Sequence, residues 1–116
     1  MNSLRRGHIY WVTIPDEPGR KRRPALVLSP DIRNALAGDV IVVPLSSVIR
    51  DAPTHVRLRA GDGGIKVLSV VKCEQITTLQ KERLVPIPIG GPLSSGRMQE
   101  IERAVLRAVG VMIPLE

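Results

Sequence analysis

Aromatic side chains are scarce in this sequence of 116 residues. Phenylalanine is absent, and the chain has a single tryptophan, Trp11, and a single tyrosine, Tyr10. Proteins that bind single-stranded nucleic acid without sequence preference stack successive bases on several aromatic rings. The composition therefore excludes a multi-ring stacking platform, and recognition of nucleic acid is expected to depend on phosphates and base edges.

Cysteine and histidine are equally rare. Cys73 is the only cysteine, so no intramolecular disulfide forms, and beside it only His8 and His55 are available as soft metal ligands. We expect no metal, no cofactor and a reducing, cytoplasmic environment. No apolar run approaches the roughly 18 to 20 residues that span a bilayer, and residues 1–6 lack the apolar segment of a secretory signal.

Positive charge is in excess. The net charge is +6, the sequence pI is about 10.4, and arginine supplies 13 of the 17 basic side chains. Arginine binds phosphate through two parallel hydrogen bonds, and a basic protein attracts polyanions. Nucleic acid is therefore the leading class of partner.

The basic residues are densest at 20–23, directly before a strand. Pro24 fixes its own φ and favours an extended conformation for Arg23, so that side chain should leave the loop in a defined direction. The unbroken apolar run 25–28 predicts a strand that is buried on both faces. Arg23 is thus the first candidate for chemistry. Composition alone leaves open a solvated hairpin tip whose charges only keep the protein soluble.

Hydrophobic periodicity predicts a mostly β, α+β chain with a single domain over residues 1–116. The expected strands are 8–14, 25–28, 40–43 (ended by Pro44), 54–59, 67–73 and 83–89, with a short helical excursion at 30–37 and a polar segment at 74–78. After residue 91 the period changes to that of a helix of about 14 residues, with Ser94 or Ser95 as N-cap and Gly110 just past its end. Such elements build a small, curved sheet or open barrel with one helix packed on it.

The polar residues have ordinary structural roles when taken singly. Ser46 and Ser47 follow a buried strand, where serine commonly forms local hydrogen bonds. His55 is expected to cap an exposed strand face, and Glu74 beside Lys72 is by default a weak surface pair. The turn 61–64 is not a phosphate-binding loop because it lacks the lysine and helix that follow such loops.

In combination, however, these residues belong to a series of segments that occur together in one family. The segments, in the family's order, are Arg6-Gly7 with residues 10–12, residues 23–29, 42–47 and 53–56, and residues 69–84. In these segments the sequence resembles the MazF/PemK (Kid) toxins, the endoribonucleases of bacterial toxin–antitoxin systems. The resemblance covers nearly the whole chain and is most specific in its later part.

The resemblance implies an SH3-like barrel of the CcdB/MazF kind with a C-terminal amphipathic helix. It also implies a homodimer, a flexible acidic antitoxin as partner, and metal-independent cleavage of single-stranded RNA at short sequences. The family's catalytic arginine falls on Arg23, and its strand-end threonine falls on Ser46, which keeps the hydroxyl but loses the methyl that restricts its rotamer. Lys72 and Glu74 flank Cys73 where some members carry Arg and Asp.

We therefore expect Arg23 to stabilise charge on the phosphate, Ser46 to hydrogen bond to it, and Glu74 to act as general base. RNA contacts are expected from Arg20, Lys21, Arg22, Ser47, His55, Lys72, Gln75 and Thr78. The base specificity is expected to depend on the loops 16–22 and 48–53.

Two other functions remain open. A CcdB-like toxin with this fold poisons gyrase and cleaves nothing, but such proteins end in Trp-Gly-Ile, whereas this chain ends in residues 111–116, Val-Met-Ile-Pro-Leu-Glu. A non-catalytic RNA-binding barrel would need the basic loop alone.

Overall fold

The structure is a computed structural model and describes residues 4–13 and 22–115. In chain order its elements are β1 (Ile9–Thr13), β2 (Arg22–Val27), α1 (Asp31–Leu36), β3 (Asp39–Ser46), β4 (His55–Leu58), β5 (Ser69–Lys72), β6 (Thr77–Gln80) and α2 (Ser95–Ala108). Short 3₁₀ turns lie at Asp62–Gly64, Cys73–Gln75 and Lys81–Arg83. The predicted class, mostly β with a C-terminal helix, is confirmed.

The sheet is organised around β3. All pairings between strands are antiparallel, and the order is β1-β2-β3-β5-β4, with β6 also paired to β3. The predicted central position of the apolar run in β3 is therefore confirmed. Because β3 pairs with three strands along its length, the sheet must curve at this strand.

Apolar side chains fill both faces of the sheet. Leu26, Val43 and Val71 lie in one cluster together with the buried face of α2, whereas Val27 and Val42 lie in a second cluster on the opposite side. Neighbouring residues of a strand point to opposite faces, so a strand that is covered on both sides must be apolar at every position. This explains the unbroken apolar runs of β2 and β3.

Helix α2 matches its sequence prediction in length and at both ends. It has 14 residues, and the Ser94 hydroxyl oxygen accepts a hydrogen bond of 3.2 Å from the backbone N–H of Arg97. Gly110 follows with φ of 94°, a left-handed conformation that glycine adopts without strain. Met98, Ile101 and Ala104 form the buried stripe of the helix at helical spacing.

Cys73 is buried between the sheet and this helix. Its Sγ lies 3.9 Å from the carbonyl oxygens of both Val71 and Ile101. Burial, with a smaller effect of the neighbouring Glu74 carboxylate, raises the pKa of the thiol to about 12. The side chain therefore packs as a small apolar group at the foot of the helix.

β2 begins at Arg22 and not at residue 25, because Arg22 and Arg23, which were predicted in a loop, pair with Thr13 and Val12 of β1. Two further strand predictions are wrong. β3 does not end before Pro44 but continues to Ser46, because Pro44 lies where the edge of β3 passes from β6 to β5. No ladder partner stands opposite that position on this edge, so the missing proline N–H costs no hydrogen bond.

The second error concerns residues 83–89, which form no strand. Pro86 and Pro88 cannot donate to a ladder, and contact with β1 is limited to the bridge of Leu84 to Val12 and to single bonds such as Val85 N–H to the Trp11 carbonyl. The sixth strand is instead β6, formed by residues that were predicted in part as a polar segment.

Candidate active site

A cleft of about 730 Å³ opens beside the start of β2 and the end of β3. Its lining includes the cationic and hydroxyl groups Arg22, Arg23, Ser46 and Ser47. Further lining residues come from two segments outside the regular strands, within residues 64–67 and 85–89. Strand β1 contributes Trp11.

Arg23 and Ser46 come together through the strand register. The antiparallel strands β2 and β3 pair Ala25 with Pro44. Arg23 lies two residues before Ala25 and Ser46 two residues after Pro44, so the two stand at the same level, just beyond the last pair of this ladder. Both line the cleft, and Arg23 is exposed. Two residues that are 23 positions apart in the chain are thus held on rigid strand ends, which preorganises them for a shared ligand.

The Ser46 hydroxyl is oriented by the backbone. Its Oγ accepts a hydrogen bond of 3.1 Å from the N–H of Val48. A hydroxyl that already accepts this bond keeps its own proton available for a second acceptor. Ser46 is therefore able to donate to an anionic oxygen in the cleft, and the loss of the threonine methyl is partly offset by this local bond.

The other predicted catalytic residue, Glu74, does not line this cleft. One carboxylate oxygen accepts a hydrogen bond of 2.9 Å from the Thr54 hydroxyl, and the other lies 3.0 Å from His55 Nε2. Burial alone would raise the pKa of Glu74, but hydrogen bonds from His55, its own backbone and Thr54 together lower it. Both oxygens are engaged, which favours a structural ion pair.

His55 in turn fixes the loop that follows Ser46 and Ser47. Its Nδ1 lies 2.8 Å from the Arg50 carbonyl oxygen, which requires the proton on that nitrogen. The hydrogen bond to the Arg50 carbonyl raises the pKa of His55 most, and the bond to Glu74 raises it further. Arg57 holds the same loop through two bonds to Asp51, at 3.0 and 3.1 Å.

The remaining predicted RNA-binding residues do not all lie in one place. Arg22 and Ser47 line the cleft with Arg23 and Ser46, whereas His55 lies in a second, smaller groove of about 440 Å³ that also carries Arg57, Arg103 and Arg107. Lys72 stands opposite His55 across β4 and β5, Gln75 is exposed in the following 3₁₀ turn, and Thr78 is exposed on β6. Arg20 and Lys21 lie outside the described residues.

Three residues of the cleft lining, Lys66, Val67 and Ile87, were not predicted from the sequence. Lys66 and Val67 follow the glycine turn, and Ile87 lies between the two prolines. The glycine turn itself approaches residues 89–90 so closely that a Cβ on Gly64 would lie 2.7 Å from the Gly90 Cα. Only a glycine-to-glycine contact fits there, and a glycine in both segments was the available sequence signal.

Across residues 4–13 and 22–115, no group of three or more His, Cys, Asp or Glu side chains is placed to hold a metal ion. No helix within these ranges is long and apolar enough to cross a membrane.

Comparison with known proteins gives consistent matches. Residues 5–109 match the family described as PemK-like, MazF-like toxins of type II toxin–antitoxin systems. The chain is 35% identical over 86 residues to the endoribonuclease EndoA of Bacillus subtilis (strain 168), covering 70% of this chain and 74% of that protein.

Two solved structures extend the likeness to the whole fold. An endoribonuclease in complex with its cognate antitoxin, from a mycobacterial species, is 28% identical with a TM-score of 0.78 over 97% of this chain and 100% of that one. The MazE–MazF structure (form III) from Deinococcus radiodurans is 25% identical with a TM-score of 0.79, over 95% and 99% of the two chains.

Proposed function

Because the chain belongs to the family of PemK-like, MazF-like toxins of type II toxin–antitoxin systems, we propose that it is an endoribonuclease that cuts single-stranded RNA in the cleft of Arg23 and Ser46. The predicted family and enzyme class are confirmed by the same matches. The observation that carries the proposal is that a cation and a hydroxyl from different strands line one open cleft.

The proposed reaction uses the 2′-hydroxyl of the RNA as nucleophile. Its oxygen attacks the adjacent phosphorus, the bond from phosphorus to the 5′-oxygen breaks, and the products are a 2′,3′-cyclic phosphate and a 5′-hydroxyl. One proton leaves the 2′-hydroxyl and one is delivered to the 5′-oxygen. Negative charge builds on the non-bridging oxygens between these two events.

Arg23 is suited to stabilise that charge. A guanidinium stays protonated in proteins, so it is a poor base but a strong donor of hydrogen bonds to phosphate oxygens. Ser46 supplies a second donor because its oxygen already accepts the Val48 N–H. Preorganised donors of this kind act without reorganisation during the reaction.

The base role predicted for Glu74 stays a prediction. Within this chain its carboxylate is bonded to Thr54 and His55 and lies outside the cleft lining. The geometry supports a structural role for Glu74 better: its carboxylate positions His55, and His55 in turn holds the loop after Ser46 through the Arg50 carbonyl.

We further propose a homodimer and a cognate antitoxin as partners, and the cytoplasm as the place of action. The support is the basic cleft, which suits a flexible acidic segment, and the mycobacterial relative whose structure contains its cognate antitoxin. Exposed apolar side chains at the C-terminal end of the chain offer a surface for the second copy.

The deciding experiment incubates purified protein with a long RNA in the presence of EDTA. Wild type is expected to make discrete cuts that end in cyclic phosphate, and Arg23→Ala is expected to cut about 100- to 1000-fold more slowly, the usual loss for one preorganised donor. Arg59→Ala is the matched control, since Arg59 is an exposed arginine outside the cleft lining. Equal thermal stability of the variants would show that the loss is chemical.

The outcomes also separate the rival functions. RNA binding without cuts by wild type would indicate a non-catalytic RNA-binding barrel, and neither binding nor cuts would favour a protein-binding toxin of the CcdB kind. Cleavage by Arg23→Ala within tenfold of wild type would remove Arg23 from the mechanism.

A further inference from the structure

The cleft carries more exposed apolar surface than phosphate binding needs. Four large hydrophobic side chains are solvent-exposed there: Trp11 at 37%, Val48 at 65%, Val67 at 56% and Ile87 at 68%. Leaving these groups in water is unfavourable, and a cluster of them in one concave site indicates a ligand with an apolar surface.

Trp11 is the one member of this cluster that lies in a β-strand. It lies in β1 opposite Pro24 of β2, and on its other side its carbonyl oxygen accepts a 2.9 Å hydrogen bond from the N–H of Val85. The backbone is therefore fixed on both sides, and its cross-strand neighbour, Pro24, directly follows Arg23. A rigid ring beside a cation is a suitable surface for a flat group attached to a phosphate.

The charges of the cleft identify the class of that ligand. Arg22, Arg23 and Lys66 line the same cleft as the apolar side chains, so a ligand that fits the whole cleft carries both negative charge and apolar surface. A nucleotide of a single strand meets both requirements, since its phosphate is anionic and its base has a π-face that stacks on aromatic rings.

We propose that the Trp11 indole is the stacking surface for one nucleobase next to the phosphate held by Arg23 and Ser46. The inference rests on the proposed function and adds a base subsite to it. It also revises the expectation from composition: a platform of several rings is excluded, but a single ring at the cleft is sufficient to hold one base.

Trp11 is the only tryptophan of the chain, so fluorescence excited at a wavelength that Tyr10 does not absorb reports on this site alone. The first measurement titrates the full-length protein with a short RNA that contains one mapped cut site and carries a 2′-deoxy sugar there, so that it binds without being cut. The Trp11 fluorescence is expected to be quenched when the protein is saturated with this RNA. Inorganic polyphosphate is the matched probe with charge but no bases, and it is expected to bind without comparable quenching.

The second measurement compares variants. Trp11→Ala is expected to bind the RNA about 5- to 100-fold more weakly, the range for losing one stacked base. Trp11→Phe keeps a ring and is expected to retain most of the affinity, whereas Trp11→Leu keeps apolar bulk without a ring and is expected to behave like the alanine variant.

A series of RNAs with one abasic residue at successive positions then separates stacking from a structural effect. At one position next to the cut site, base removal should weaken wild-type binding by a factor similar to that of Trp11→Ala, and should change the binding of Trp11→Ala little. Two results would overturn the stacking inference while the proposed function stands, provided that wild type cuts RNA. One is that Trp11→Ala binds the RNA as tightly as wild type. The other is that every abasic residue weakens binding by the same factor in both proteins.

The converse result is also informative. If wild type cuts no RNA, the proposed function fails, and the titration is made with an uncut RNA of mixed sequence. Quenching by that RNA and not by polyphosphate would still support a base on Trp11, and equal fluorescence with both probes would overturn it.

Discussion

Ser46 shows how a single hydroxyl is prepared for chemistry by its own backbone. Its oxygen accepts the Val48 N–H, and its proton is left for a ligand in the cleft. Ser47 beside it is exposed and lines the same cleft, but no such bond defines its rotamer among the contacts described.

Ser46→Ala is therefore expected to cut RNA at least about tenfold more slowly than wild type, because a donor to the phosphate is lost. Ser46→Thr is expected to keep or raise the rate, since the branched Cβ restricts the hydroxyl to fewer rotamers. The measurement is the single-turnover cleavage rate of each variant. Ser47→Ala is the control, and normal cleavage by Ser46→Ala together with a defect in Ser47→Ala would move the assignment by one residue.

The pair of His55 and Glu74 has a defined dependence on pH. The raised pKa of His55 contributes stability that is complete below its ordinary value of 6.5 and is lost as the pH rises through the raised value. The lowered pKa of Glu74 contributes stability that is complete above its ordinary value of 4.5 and is lost as the pH falls through the lowered value. Lys72, the cross-strand neighbour of His55, opposes protonation of the imidazole.

Glu74→Gln is accordingly expected to lower the melting temperature most between about pH 4.5 and 6.5, and progressively less at higher pH. Thermal unfolding of both proteins across the pH range measures this difference. A difference that grows above pH 7 would contradict the ion pair. The RNA cleavage rate of Glu74→Gln tests whether Glu74 is also the general base. A residue that only positions His55 tolerates Gln in part, whereas a general base does not.

The part of this site that lies in local sequence motifs could be predicted from the sequence. Arg23 and Ser46 lie in motifs with fixed local spacing, so resemblance located both before the register of β2 and β3 joined them. Trp11 lies in one of the segments that resemble the family, but its place in the cleft, like that of Lys66, follows only from the contacts between distant segments. Glu74 was predicted as the best available base, whereas its partners in the structure are Thr54, just before β4, and His55, the first residue of β4.

Among the elements, the contact of the glycine turn 61–64 with residues 89–90 decides the shape of the cleft. The two segments supply side chains that line the cleft together with Arg23, and their backbones are in contact at Gly64 and Gly90. Pairing between elements also explains why the end of β3 was predicted wrongly. That end depends on which strand lies beside Pro44 and not on the proline itself.

Gly90→Ala is expected to destabilise the protein by about 1 to 3 kcal/mol, the usual cost of overpacking. The new Cβ would lie 2.6 Å from the Gly64 Cα, which is backbone and cannot move aside as a flexible side chain does. A lower midpoint in urea and slower cleavage should appear together. The neighbouring Gly91→Ala is the matched control, since nothing lies within 4 Å of its Cβ position, and equal stability of the two variants would show that the contact is unimportant.

At the scale of the whole molecule, a second set of exposed apolar side chains, apart from those of the cleft, lies after the middle of α2. Leu106, Val109, Val111, Met112 and Leu115 are all exposed, Met112 at 94%. A two-fold dimer is the commonest way to cover such a surface. Position along the chain did not reveal this surface, because only the packing of α2 shows which of its apolar residues stay outside the core.

Sedimentation equilibrium at micromolar concentration is expected to give about twice the chain mass of 12.7 kDa for wild type. Met112→Glu should shift the protein towards single chains, because a charge would be buried in the interface. Leu36→Glu is the control, an exposed apolar residue on α1 that is 83% accessible. A measured mass equal to that of one chain for wild type would contradict the proposed dimer.

The burial of Cys73 under α2 also has a chemical consequence. Only a thiolate reacts readily with peroxide or with maleimide, and a thiol whose pKa is raised to about 12 supplies almost none at neutral pH. Oxidative stress therefore leaves this side chain reduced for as long as the protein stays folded. In practice the native chain is silent towards thiol reagents, so a cysteine introduced at any exposed position can carry a spectroscopic label without background.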